Sequence, residues 1–485
     1  MNILFIASEV ESFAKTGGLA DVAKSLPLAL KRRGHDVRII MPFYAAIPNR
    51  EKASQLGGYT LPTRPGHTDI PYQVREMSLD DVPVMLIEFP NYFDRASLYA
   101  ENNNAYPDNG ERFAFFSGAC LQVAEKTGFR PDIIHCNDWH TALVPMLLKT
   151  RYANHSFFQS TRSVLTIHNG AFQGVFERNQ LWALPEITDT YNEAIMQGHA
   201  YINFLKCGVL YADKINAVSP SYASELMTYL GGHGMAKNFQ ERSSDVRGII
   251  NGCDYADWDP KTDPLIPVNY DLQHLDDKVL CKHALQKRAG LPISDLPMFG
   301  MVCRLTEQKG LNLLLPILDK FLVHQLQVVI VGTGEPALQD RLNELMKANP
   351  DRLAYLNAHD NALAHLVEAG SDFFLMPSLF EPCGLNQMYS LAYGTLPIVR
   401  AVGGLRDTVV DYDTQPRRAT GFSFQEPEPL ALLSTLRRAL LFFLQEPCEY
   451  RKVQEQAMRT RYLWSDSVRE YELMYQEALG VNNRR

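Results

Sequence analysis

Lys15-Thr16-Gly17-Gly18 places a cation beside a flexible glycine pair, directly ahead of Leu19-Ala20-Asp21-Val22, where a helical pattern of apolar residues begins. Paired glycines before a helix let backbone N–H groups come close to an anion, and the helix dipole favours negative charge at the same place. The segment therefore suits a phosphate or a carboxylate. It reads equally as a tight turn with a surface lysine, since glycine pairs are common in α/β loops. It is not a dinucleotide fingerprint, because no G-x-G-x-x-G follows the first apolar run.

A second group, Arg304-Leu305-Thr306-Glu307-Gln308-Lys309-Gly310, follows the apolar run MFGMVC. That position is the carboxyl edge of a predicted strand, where open α/β sheets bind ligands. Arg304 as a planar fork and Lys309 as a compact charge suit a diphosphate there, or else they are two solvated basic residues ending a strand. Gly332-Thr333-Gly334, after LQVVIV, is a further glycine loop of the kind that is more often a turn than a nucleotide site. Glu381-Pro382-Cys383-Gly384-Leu385, after DFFLMPSLF, sets a carboxylate and open backbone at a strand-to-helix junction. A lone acid there commonly caps the helix. Pro382 and Gly384 favour a ligand site, because they fix an unusual turn and open the backbone to an approaching group.

Asn137-Asp138-Trp139-His140 and Thr166-Ile167-His168-Asn169 each follow a predicted central strand. Polar and aromatic clusters at strand ends suit sugar hydroxyls, although a histidine after a buried strand is more often a satisfied structural residue. No grouping of His, Asp, Glu or Cys has metal-ligand spacing, and neither a Walker A loop nor a G-x-S-x-G elbow is present.

These residues need a scaffold of alternating strands and helices, and the hydrophobic pattern supplies one. NILFIA, VRIIMP, VPVMLIEF, PDIIHC, SVLTIHN and KINAVS are short apolar runs separated by segments of helical spacing, among them residues 19–33 and 112–126. Continuous rather than alternating apolar strands indicate a mostly parallel sheet covered on both faces. After Asn251-Gly252-Cys253-Asp254 the chain turns rich in Asp, Pro and Tyr, which is linker chemistry, and the strand–helix rhythm then restarts with MFGMVCR, LQVVIVGTG, LAYLNA, DFFLMPS and TLPIVRAVGG. Residues 1–251 and 252–464 are expected to be two Rossmann-like α/β domains, with residues 465–485 a closing helix. Gly17-Gly18-Leu19 to Asp21 recurs as Gly403-Gly404-Leu405 to Asp407, a five-residue echo ahead of a helix in each half.

Composition narrows the partners. With 46% hydrophobic and 21% charged residues over 485 positions, the chain has material for two or three domains and none of the bias of disorder, collagen or a coiled coil. The formal net charge of −8 repels phosphate backbones, so nucleic acid is not an expected partner. No apolar window reaches the roughly 18 to 20 residues that span a bilayer, so no membrane is expected. The N-terminus lacks the basic flank and cleavage site of a signal peptide, and eight scattered cysteines form no C-x-x-C pair, which fits a reducing cytoplasm.

Taken in order, KTGGLADV, NDWH, TIHN, INGCD, RLTEQKG and FEPCGLNQMYSLAYGTLPIVR resemble the bacterial glycogen synthases and the related starch synthases, over nearly the whole chain. The resemblance implies a GT-B fold, two Rossmann-like doubly wound domains facing across a deep cleft with the C-terminal helix crossing back to the first. It implies transfer of glucose from ADP-glucose to the nonreducing end of an α-1,4-glucan such as glycogen, with retention of configuration and without a cofactor. By matching positions, Lys15 and Gly18 would face the distal phosphate, and Arg304 and Lys309 would bind the diphosphate. Glu381 with the backbone of Cys383, Gly384 and Leu385 would hold the donor glucose. His168, Asp138 and Asn169 would line the sugar side, joined by Tyr99 and Asn251. Charge considerations agree, since breaking a sugar–phosphate bond leaves negative charge on the diphosphate and positive character on the sugar.

Two departures bear on specificity. Many retaining GT-B enzymes repeat a glutamate eight positions after the first, where this chain has Tyr389, and this points to the glycogen synthase branch. The family often carries Tyr where this chain has Ala358, at a place expected to stack on the nucleotide base. Relaxed donor choice, with UDP-glucose as the alternative donor, is the expectation. Other readings are a transferase with a different acceptor and a non-catalytic glucan-binding paralogue; the presence of Lys15, Arg304, Lys309 and Glu381 weighs against the latter.

Overall fold

The computed structural model describes residues 1–101, 104–189 and 191–481. The chain forms two units, Met1–Gly252 with the C-terminal segment from Trp464, and Cys253–Leu463.

In the first unit a nine-stranded sheet runs in the spatial order Val246–Gly248, Lys214–Ala217, Arg162–Ile167, Ile133–Asn137, Asn2–Ile6, Asp36–Pro42, Val82–Glu88, Ile70–Leu79, Ser54–Leu61. The first seven are parallel, and the last two extend the sheet antiparallel. The central strands are apolar throughout because both faces are covered: Ile3, Leu4, Phe5 and Ile6 are all fully buried. Strand order reverses between Asn2–Ile6 and Ile133–Asn137, and such a switch point opens a crevice at the carboxyl ends. The helix Gly18–Arg32 follows the first strand, with Leu19, Val22, Leu26 and Leu30 on its buried side. The expected helix at 112–126 begins earlier, at Asn109. The antiparallel pair Ser54–Leu61 and Ile70–Leu79, and a small antiparallel sheet of Val175–Glu177, Tyr201–Asn203 and Met196–Gln197, go beyond the strands read from the sequence. Their half-exposed, alternating faces do not produce the continuous apolar runs of the centre.

The C-terminal helix Trp464–Ala478 belongs to this unit. It covers a line of buried polar groups on the sheet. His135 Nδ1 lies 2.7 Å from the Tyr475 hydroxyl and its Nε2 lies 2.7 Å from Thr166 Oγ1, while Asn216 Nδ2 donates to the Tyr471 hydroxyl at 2.9 Å. Burial holds the His135 ring neutral, with its pKa lowered to about 3.

The second unit is a six-stranded, all-parallel sheet ordered Leu353–Leu356, Gln327–Val331, Met298–Val302, Phe373–Met376, Leu396–Arg400, Phe422–Phe424. Numbered along the chain this is 3-2-1-4-5-6, the order of a doubly wound nucleotide-binding sheet, reversing between Met298–Val302 and Phe373–Met376. Phe299, Val328, Ile330, Phe373 and Ile398 anchor its core with Leu314, Leu318 and Phe321 of the helix Leu311–Leu322. The helix expected near Asp276 starts as a 3₁₀ turn, Leu275–Asp277, and continues as Lys278–Ala289. Among the described residues no helix is long and apolar enough to cross a membrane.

Candidate active site

In the second unit the loops at the switch point are tied together by backbone. The Leu379 N–H donates to the Gln308 carbonyl at 2.8 Å, which brings the turn Glu307–Lys309 against the segment leaving strand Phe373–Met376. Gly310 makes this approach possible, with φ +77° and a carbonyl, that of Pro377, only 2.0 Å from where a Cβ would stand. Lys309 Nζ consequently meets Glu381 Oε2 at 2.6 Å, and the Ser378 hydroxyl donates to the same oxygen at 3.0 Å. Both charged groups line a cavity of about 190 Å³ together with Cys303, Gly384, Leu385 and Asn386. Burial pushes the Cys303 thiol up to about 12, so it lines the cavity as a neutral group.

Of the residues expected here, Lys309, Glu381, Gly384 and Leu385 share the cavity. Cys383 is buried at its margin, its carbonyl accepting from Gln387 Nε2 at 3.0 Å. Arg304 is exposed in the loop beyond Cys303 and is in no ion pair among the described residues. Gly332-Thr333-Gly334 braces that loop: Leu305 N–H donates to the Thr333 carbonyl and Glu335 N–H to that of Leu305. Ser378 and Asn386 add polar groups to the cavity lining and carry no sequence signature that separates them from ordinary loop residues.

The Gly403-Gly404 pair has a different job from the one its echo suggested. The Gly404 N–H donates to the carbonyls of Glu381 and Pro382, at 3.1 and 3.2 Å, and a Cβ on Gly404 would lie 2.1 Å from the Cys383 carbonyl oxygen. The pair lets two backbones touch and thereby fixes the Glu381 loop.

In the first unit the polar cluster also stands at the switch point. Asp138 has φ +54°, a conformation a non-glycine residue adopts only when its surroundings impose it. Its N–H donates to the Thr166 carbonyl at 2.9 Å, and its Oδ1 accepts from the His168 and Asn169 N–H groups at 2.7 and 3.3 Å. Burial pushes the Asp138 carboxyl up to about 7 despite these donors. Asn137 Nδ2 donates to the Ile6 carbonyl, so its Oδ1 faces His168 Nε2 at 2.9 Å and fixes the proton there. His168 is neutral, its pKa lowered to about 3 by burial, and its Nδ1 remains as an acceptor. Tyr99 stacks obliquely on His140, 4.6 Å between ring centres, and its hydroxyl lies 2.7 Å from Ser8 Oγ and 3.3 Å from Glu9 Oε1, to which it donates while the Ser8 hydroxyl donates to it.

The Lys15–Gly18 loop already holds a carboxylate. Glu9 Oε2 accepts from the N–H groups of Thr16 and Gly17, at 2.5 and 3.2 Å, and Thr16 Oγ1 donates to the same group. Lys15 Nζ pairs with Asp21 Oδ1 at 2.6 Å on the surface. Gly18 is exposed at the first position of its helix. Asn251 is buried with its side-chain oxygen unpaired among the described residues, and no hydrogen bond links it to the other expected residues. The sequence does not single out Glu9, since one acid after a strand has no distinguishing spacing.

Two Rossmann-like units, each with its polar groups at a switch point, define a GT-B glycosyltransferase. The sucrose-phosphate synthase of Thermosynechococcus elongatus, 18% identical, has the same fold over 99% of this chain and 100% of that one, with a TM-score of 0.60. Residues 2–241 match the model of the starch synthase catalytic domain, and residues 284–459 that of glycosyl transferases group 1. Glycogen synthase of Aeromonas hydrophila is 62% identical over 99% of both chains, and that of Vibrio cholerae 54% identical over 98% of this chain and 99% of its own. The catalytic domain of starch synthase IV from Arabidopsis thaliana, solved with ADP and acarbose, is 32% identical with a TM-score of 0.89 over 99% of each chain. The chain belongs to the glycogen synthase family.

Proposed function

We propose that this chain extends an α-1,4-glucan, transferring glucose from ADP-glucose to its nonreducing end with retention of configuration, in glycogen biosynthesis. The observation that carries the reading is the Lys309–Glu381–Ser378 cluster in the cavity at the second unit's switch point. Full-length identity of 62% to a glycogen synthase supports the overall reaction, and the relative that binds ADP and acarbose supports the donor and the glucan.

In the reaction the bond between C1 of the donor glucose and the diphosphate oxygen breaks, its electron pair leaves with ADP, and an acceptor hydroxyl oxygen bonds to C1 and releases its proton, so that the products are the extended glucan, ADP and H⁺. Lys309 and Arg304 stabilise the charge that grows on the diphosphate, and Lys15 with the Gly18 amide takes the distal phosphate. Glu381 and the backbone from Cys383 to Leu385 hold the glucose. His168, through its Nδ1 acceptor, Asp138, Asn169, Tyr99 and Asn251 orient sugar hydroxyls. Eight free thiols, seven of them shielded from full exposure, support action in a reducing cytoplasm.

Release of ADP from ADP-glucose on addition of glycogen tests this reading. Glycogen-dependent release is expected; glycogen binding without turnover would replace it with the non-catalytic paralogue.

A further inference from the structure

Glu9 is a buried carboxylate, 4% exposed, with no lysine or arginine paired to it among the described residues. Lys15 is engaged by Asp21 and Lys24 by Glu11. Its charge is met by neutral donors alone: the Thr16 and Gly17 N–H groups at Oε2, the Thr16 hydroxyl, and the Tyr99 hydroxyl at Oε1. Burial raises its carboxyl pKa against these donors. An acid set under an anion-binding loop repels the ligand's charge, so its presence there calls for a compensating role. The geometry supplies one. The two amides lie between Lys15 and Gly18, and turning both inward onto Glu9 restricts the conformations open to the loop. At its other oxygen Glu9 reaches Tyr99, so one side chain ties the phosphate loop to the sugar-side hydroxyl.

We propose that Glu9 is a positioning residue for the sugar-nucleotide: it occupies the inner amides of the Thr16–Gly17 turn so that Lys15 and the Gly18 amide are presented, preorganised, to the distal phosphate of the nucleoside diphosphate. The inference rests on the assignment of Lys15 and Gly18 to that phosphate. What matters is the length and acceptor geometry of the side chain, not its charge. A glutamine turned so that its carbonyl faces the two amides still accepts from them, while its NH₂ meets the Thr16 and Tyr99 oxygens. An aspartate keeps the charge but withdraws the acceptor by one methylene.

The test is ADP affinity by calorimetry and the KM for ADP-glucose in Glu9→Gln, Glu9→Asp, Glu9→Ala and Lys15→Ala, with melting temperature measured alongside. Loosened loop geometry is expected to weaken ADP binding and raise KM about tenfold in Glu9→Asp and Glu9→Ala, while Glu9→Gln stays within about threefold of the parent. In a Lys15→Ala background the further loss from Glu9→Asp should shrink to about twofold, because both changes remove the same contact. Glu9→Asp with unchanged ADP affinity beside an impaired Lys15→Ala overturns the role of Glu9 alone. Lys15→Ala with unchanged affinity removes the phosphate assignment beneath it and the inference with it. Glu9→Gln as impaired as Glu9→Asp shows a requirement for charge and overturns the positioning account, and this arm stands even if Glu9→Ala fails to fold.

Discussion

Lys309 Nζ and Glu381 Oε2 stand 2.6 Å apart across 72 residues of chain, both at the edge of the one cavity described at the second unit's switch point. The pairing orients the ammonium and the carboxylate before any ligand arrives. In the proposed reaction, neither group would need to be desolvated from scratch as the sugar–phosphate bond breaks.

Replacing Lys309 or Glu381 by Ala is expected to lower turnover of ADP-glucose about 10²-fold or more, by analogy with removing one preorganised charge-stabilising group. The Glu381 change leaves an ammonium without its carboxylate, and the Lys309 change leaves the reverse, so the double variant should lose less than the sum of the two. Near-parental rates in either single variant refute the role.

Asp138 should give the protein a pH-dependent weakness. Its folded-state pKa of about 7 lies above the ordinary carboxyl value, so folding favours the protonated form. Its stabilising contribution is complete below about pH 4 and is lost as pH rises through about 7. Asp138→Asn, which can still accept from the His168 and Asn169 amides, should gain in melting temperature relative to the parent between pH 5 and pH 8, on the order of one to a few degrees. A difference that does not change with pH contradicts this.

Tyr475→Phe removes the hydroxyl that meets His135 Nδ1 and leaves that buried nitrogen unpaired. The cost should be about 1–3 kcal/mol in denaturant unfolding. A change below about 0.5 kcal/mol means that the buried polar line does not secure the C-terminal helix.

Ala358 is partly buried against the apolar cluster that includes Leu363 and offers no ring to a nucleotide base. Base–aromatic stacking contributes about 1–3 kcal/mol, so its absence should leave the ratio of kcat/KM for ADP-glucose over UDP-glucose below about tenfold. Ala358→Tyr should raise it. A preference of about 10² in the parent enzyme refutes relaxed donor choice.

The α/β class and the identity of the central strands were legible in the residues alone. Runs such as NILFI and MFGMV are buried on both faces and so read as unbroken apolar segments. The strands Ser54–Leu61 and Ile70–Leu79 were not, because one face of each meets solvent and the pattern dissolves into alternation with glycine and polar residues. Candidate residues such as Lys309, Glu381, Asp138 and His168 stand out in the sequence by type, since charge and hydrogen-bonding capacity at the carboxyl end of a strand are local properties.

Which groups meet was decided by tertiary structure. Gly17-Gly18 and Gly403-Gly404 are nearly identical in sequence, yet the amides of the first turn receive the Glu9 carboxylate and Gly404 receives the carbonyls of the Glu381 loop. A backbone N–H has no preference among acceptors until the fold brings one within about 3 Å. Residue type sets what a group is able to do, and only the packing of distant segments sets which partner it does it with.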